Sequence, residues 1–156
     1  RFDLLVLFSV ITIYFISKFG PRGQYFSQAL FDKIFLDLDL TLRELGAGDA
    51  GVHIRIKNMV HSFMGRQKSY CKCLEKNDFT LLKKSIIKNV YRNVNDYNDS
   101  PVKLTNYCKK IYDIFNNENA EYFLLNNFIF PKFKEVGKYY RLLYSIVVHQ
   151  SIYYYL

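Results

Sequence analysis

Tryptophan is absent, cysteine and proline occur three times each, and there is no Gly-x-Ser-x-Gly elbow, His-Glu-x-x-His pair or Lys-Ser/Thr phosphate loop. Those gaps leave serine hydrolysis, zincin chemistry and P-loop nucleotide hydrolysis without a local basis. Cys71, Cys73 and Cys108 form an odd set without Cys-x-x-Cys spacing. His53, His61 and His149 are too scattered to complete a tetrahedral zinc site, so reduced thiols in a cytosolic-type compartment are expected. His53 and His61 lie about 12 Å apart along a helix, too far for one metal ion, and read as ordinary helix residues. No metal, cofactor or small-molecule substrate is expected.

A bilayer-spanning run is lacking as well. Phe2 to Lys18 is apolar except at Asp3, Ser9 and Thr12, but about fifteen apolar residues fall short of the roughly 20 that cross a bilayer as a helix. The run has neither a basic leader nor a small-residue cleavage site, so it does not read as a signal peptide. It reads as a buried helix of the domain, with membrane contact as the alternative.

What is present is apolar bulk and unevenly placed charge. Half of the 156 residues are hydrophobic, with fourteen Phe and fourteen Tyr, enough for one real core. Much of the Tyr, Asn, Ile and Lys content is read as coding bias. The formal net charge of +8 is not spread along the chain. Five acids from Asp32 to Asp49 outnumber Lys33 and Arg43, a net −3. From Arg55 to Arg92 ten bases, among them Lys83, Lys84, Lys88 and Arg92, meet only Glu75 and Asp78, a net +8. Such a face suits nucleic acid, ribosomal RNA or an anionic membrane, or is simply a solvated surface.

Helical spacing dominates, and no alternating strand pattern competes with it, which predicts an all-α, single-domain bundle of six or seven helices. After Gly20-Pro21-Arg22-Gly23, a second helix is expected from about Gln24 to Leu45, with Phe31, Phe35, Leu38, Leu42 and Leu45 on its apolar face. Gly46 then supplies a left-handed C-cap. A third runs from about Ala50 to Leu74 on Val52, Ile56, Met59, Val60 and Phe63, with Asp49 as its N-cap. Asn77 or Asp78 caps a fourth that frays by Asn95. Ser100-Pro101 opens a fifth that ends at Asn116. A sixth is expected over Ala120 to Phe128 and a last over Glu135 to Leu156. In that last segment a Tyr-rich apolar surface behind Lys138 and Arg141 suits core packing, a second copy or a membrane interface.

The stretch Asp39 to Tyr70 is the most distinctive. Lys57 and Arg66 are nine positions apart and diverge by about 180° on a helix, so one can pair inward while the other faces a partner. Gly65 inside a helix costs about 1 kcal/mol relative to alanine, which predicts close packing or a bend there. Leu42, Arg43, Glu44, Gly46, Gly48, Asp49, Val52, Lys57, Met59, Phe63, Gly65, Arg66 and Tyr70 follow, without a gap, the core pattern of the ubiquinol–cytochrome c chaperone family, which the sequence resembles. Weaker similarity at Leu30-Phe31-Asp32, Asn89-Val90-Tyr91, Leu104 with Tyr107, and Phe130-Pro131 extends it over residues 2–131. Met64 stands where many members have Tyr, and His53 follows Val52 where a small or basic residue is more usual. Members of bacterial type tend to end soon after Phe-Pro, whereas this chain continues.

The resemblance divides the chain into a chaperone-like helical domain, 1–131, and a C-terminal helical extension, 132–156, in the same compact unit. It implies a non-enzymatic assembly factor of the respiratory bc1 complex. Nascent cytochrome b is its client, with a small partner protein, the ribosome and peripheral membrane contact as further partners. The implied location is the bacterial cytoplasm at the inner-membrane face, or the matrix side of the mitochondrial inner membrane. Partner-binding candidates are Arg43, Glu44, Asp49, Lys57, Met59, Phe63, Arg66 and Tyr70, with abundant aromatic surface for the client. The competing readings are a basic helical RNA-binding module and an enzyme assembled from Glu44, Asp49, His61 and Arg66.

Overall fold

The computed structural model describes residues 2–93, 98–119 and 130–131. Among them stand five helices and no strand: α1 (Phe2–Ile16), α2 (Gly20–Glu44), α3 (Asp49–Glu75), α4 (Phe79–Asn89) and α5 (Ser100–Asn117). The all-α expectation holds, with five helices described where six or seven were expected. The helices expected over 120–128 and 135–156, and with them the extension 132–156, lie outside the described residues.

A helix that is apolar all round must be surrounded, and α1 is. It packs against α2, α3 and α5, and Val6, Leu7, Val10 and Ile11 retain no exposed surface. The apolar opening run is therefore the core of the domain. No helix among the described residues is long and apolar enough to cross a membrane. The two hydroxyls carried inside are treated differently. Thr12 Oγ1 donates to the Phe8 carbonyl at 3.0 Å, while Ser9 Oγ is buried without a hydrogen-bond partner among the described residues.

Aromatic rings fill the seams edge to face, the arrangement their quadrupoles favour. Phe8 meets Tyr107 and Phe130, Phe15 meets Tyr112 and Phe115, and Phe63 meets Phe31 and Phe35, all with centroids 5.1–5.9 Å apart. The expected aromatic surface is thus mostly interior. Among the described aromatics Tyr25 is the one exposed large ring, and the remaining exposed large apolar side chains are aliphatic.

Two turns use the same closing device. At the end of α2, Ala47 N–H donates to the Leu42 carbonyl and Gly46 N–H to the Arg43 carbonyl, with Gly46 at φ +82°. At the end of α3, Asp78 N–H donates to Cys73 and Asn77 N–H to Leu74, with Asn77 at φ +52°. Both are Schellman closures, which need a left-handed residue past the last turn; glycine supplies it in one and asparagine in the other. Asp78 then caps α4, its carboxylate accepting from Leu81 N–H at 2.8 Å.

Three expected details are corrected. The residue before α3 is Gly48, so Asp49 is its first helical residue and makes no side-chain cap. Asp99, not Ser100, precedes α5, so Pro101 sits one position further in. Leu45 lies past the last turn of α2, where no neighbouring helix covers it, and is 78% exposed.

Candidate interaction surface

The α2–α3 hairpin carries the distinctive stretch, and Arg43 closes it from outside. Its guanidinium pairs with Asp39 one turn back and with Asp49 across the turn. All three are near or at the surface, so the clasp orients the turn and adds little to global stability. Asp49 thereby finds in Arg43 the partner that capping was expected to supply. Glu44, beside it, is exposed.

Along α3 the candidate residues separate by face. Phe63 and Tyr70 are fully buried, and Met59 is half-buried against the same core. Tyr70 Oη accepts from Asn89 Nδ2 at 3.3 Å, and burial pushes its phenol up to about 12. Arg66 turns inward: its Nη2 lies 2.7 Å from Asp3 Oδ1, and its guanidinium stands over the Phe2 ring. Asp3 also draws Arg92, 3.6 Å away and mostly exposed. Arg66 Nη1 is buried without a hydrogen-bond partner among the described residues. Lys57 faces solvent. The half-turn divergence of Lys57 and Arg66 has resolved into one inward and one outward cation.

Gly65 corrects the expectation of close packing. A Cβ there would meet nothing within 4 Å, and the residue is exposed on a helix unbroken from Asp49 to Glu75. Gly46, Gly48 and Gly51 also have Gly-x-Gly-x-x-Gly spacing, but a helix rather than a strand leads into them, so the strand–turn–helix frame of a dinucleotide site is missing.

Large apolar side chains surround the hairpin tip. Leu36 and Leu40, one turn apart on α2, are 55% and 49% exposed; Leu45 follows them, and Ile54 on α3 is 59% exposed. The sequence does hold a sign of the first two: they fall off the 31-35-38-42 spacing of the core face, so a helix that buries that face must leave them out. Further along, α1, α2 and α3 border a cleft of about 610 Å³, floored by Ile13, Tyr14 and Phe31 and edged by Met64, Cys71 and Glu75. Lys18 lies over the Tyr14 ring at its mouth, 4.0 Å from the centroid.

The thiols offer no nucleophile at neutral pH. Burial pushes Cys71 up to about 11, with Glu75 and Cys73 adding to it, and raises Cys73 and the fully buried Cys108 as well. Among the described residues no three His, Cys, Asp or Glu side chains gather closely enough to hold a metal ion. Of the basic candidates, Lys84, Lys88 and Arg92 are exposed and Lys83 is half-buried.

Residues 1–130 match the ubiquinol-cytochrome C chaperone family. The chain belongs to that family. The crystal structure of the Cbp3 homolog from Brucella abortus is similar to it, at 27% identity and a TM-score of 0.68, covering 78% of this chain and 67% of that one. No curated protein matches the chain in sequence. In this ubiquinol–cytochrome c chaperone, then, the signature residues Phe63, Arg66 and Tyr70 join α3 to the core and Arg43 with Asp49 shapes the turn. Glu44 and Lys57 are the exposed signature side chains that stand in no ion pair among the described residues.

Proposed function

We propose that this ubiquinol–cytochrome c chaperone is a non-enzymatic assembly factor of the respiratory bc1 complex that holds newly made cytochrome b through apolar contacts at the α2–α3 hairpin. The observation that carries the reading is the exposure of Leu36, Leu40, Leu45 and Ile54 around the signature turn. Exposed apolar clusters mark interaction sites in soluble domains, and each large side chain that becomes buried contributes about 1.5–3 kcal/mol. A membrane subunit awaiting its cofactors presents surface of the matching kind. Its place of work is beside the membrane that receives the client, at the bacterial inner-membrane face or on the matrix side of the mitochondrial inner membrane. A small partner protein and the ribosome complete the proposed set. The client-free RNA-binding module is the less supported reading, because the family match is to chaperones.

The test replaces the gene with a copy carrying Leu36→Ser, Leu40→Ser and Ile54→Ser. The purified variant should keep its melting temperature, since these side chains bury little, while bc1 activity and the haem b absorbance of membranes fall several-fold. Unchanged haem b spectra in this strain and in a full deletion would sink the proposal.

A further inference from the structure

Beyond the hairpin tip, α3 presents a second surface that shares only Ile54 with the client reading. Ile54, Lys57, His61, Met64, Lys68 and Lys72 follow one another at spacings of three, four, three, four and four residues, and every one is exposed. They form a single stripe along the outer side of α3, about 27 Å long at 1.5 Å per residue. Next to it, the Ser69 and Ser85 hydroxyls meet at 3.3 Å and pin α4 alongside. Lys84 and Lys88, one turn apart and both exposed, extend the stripe sideways onto α4. None of these five lysines stands in an ion pair among the described residues. Glu75, also exposed, continues the stripe three residues past Lys72, so the face holds five lysines against one acid, with two exposed apolar side chains among them.

We infer that this α3–α4 face docks on the surface of an anionic lipid bilayer. Lysine is a compact, strongly hydrated charge on a flexible stem, suited to a diffuse layer of headgroup phosphates that demands no fixed geometry. Ile54, 59% exposed, and Met64, 48% exposed, stand on the same stripe, where they reach the boundary between headgroups and acyl chains. RNA calls for a different surface: planar guanidinium groups and aromatic rings that stack on bases, and the stripe contains no arginine, phenylalanine or tyrosine. The single histidine is its only ring. Such docking would lay α3 along the membrane plane, with the hairpin tip at one end of the contact.

The experiment is vesicle flotation of the full chain. One set of vesicles is phosphatidylcholine alone, and the other contains added phosphatidylglycerol, each at low and high salt. Binding is expected only to the anionic vesicles and should be lost at high salt. The variant Lys72→Gln/Lys84→Gln/Lys88→Gln should bind them roughly 100-fold more weakly. Its melting temperature should be unchanged, because all three side chains point into solvent. Met64→Ser should weaken anionic binding several-fold without altering its salt dependence. Equal flotation on neutral vesicles, or full binding by the triple variant, overturns the inference. So does absence of flotation together with salt-sensitive RNA binding that the triple variant loses. The assay uses purified protein without a client, so its outcome is independent of the haem b result that tests the assembly role.

Discussion

Arg66 and Arg43 show how one residue type does two jobs within a single hairpin. Arg43 is held at the surface between Asp39 and Asp49, where solvent screens each pair. Arg66 is largely enclosed, and its partner Asp3 sits at the other end of the sequence, on the first turn of α1. Removing that partner leaves a charge in low-dielectric surroundings, so Asp3→Asn should lower stability by about 3 kcal/mol, visible as a shift in the urea midpoint. A loss no larger than that of an ordinary surface change would show that Arg66 is adequately solvated. Gly65 tests the opposite situation. With open space around its Cα, Gly65→Ala should raise stability by about 0.5–1 kcal/mol in the same titration. If the stabilised variant nonetheless fails to support bc1 assembly, a partner approaches the α3 backbone at that point. Residue identity alone made Gly65 look like a packing site, because a helix-interior glycine is costly and tertiary contact is its commonest excuse.

At the scale of elements, the helices and their turns were legible because each depends on neighbours in sequence. The 3.6-residue spacing, Gly46, Asp78 and Pro101 all act within one turn of where they stand. Errors of a residue at Asp49 and Ser100 have the same root: several polar residues in a row can cap, and only the backbone angles choose among them. The contact between α1 and α2 was not legible. A Cβ on Gly23 would lie 2.0 Å from the Ile16 carbonyl oxygen, so the two helices meet there with no room for a side chain. Gly23→Ala should therefore destabilise by about 1–3 kcal/mol despite alanine's better helix propensity, giving a urea midpoint below that of the parent chain. A neutral or stabilising result would mean that α2 shifts away from α1 at little cost.

At the scale of the whole molecule, the buried ionisable groups set a direction for pH. Burial holds Cys71 at about 11 and Tyr70 at about 12, above their ordinary values of 9.0 and 10.0. Between those limits the unfolded chain has released protons that the folded chain keeps, so stability is fully present below about 9 and falls as pH rises toward 11 and 12. The melting temperature should be flat from neutral pH to about 9 and decline beyond it; a rise over that interval would contradict the burial of these groups. The sequence by itself determined the all-α class, the turns and the family signature, since periodicity, capping and motif order are local properties of a chain. Only the tertiary structure decided that the opening apolar run is the core, that Phe63, Arg66 and Tyr70 point inward, and that Ile54, Lys57 and Met64 share an outward stripe with lysines of α4. Those facts depend on which face of each helix its neighbours cover, and burial is a property of the assembled neighbours rather than of any one residue.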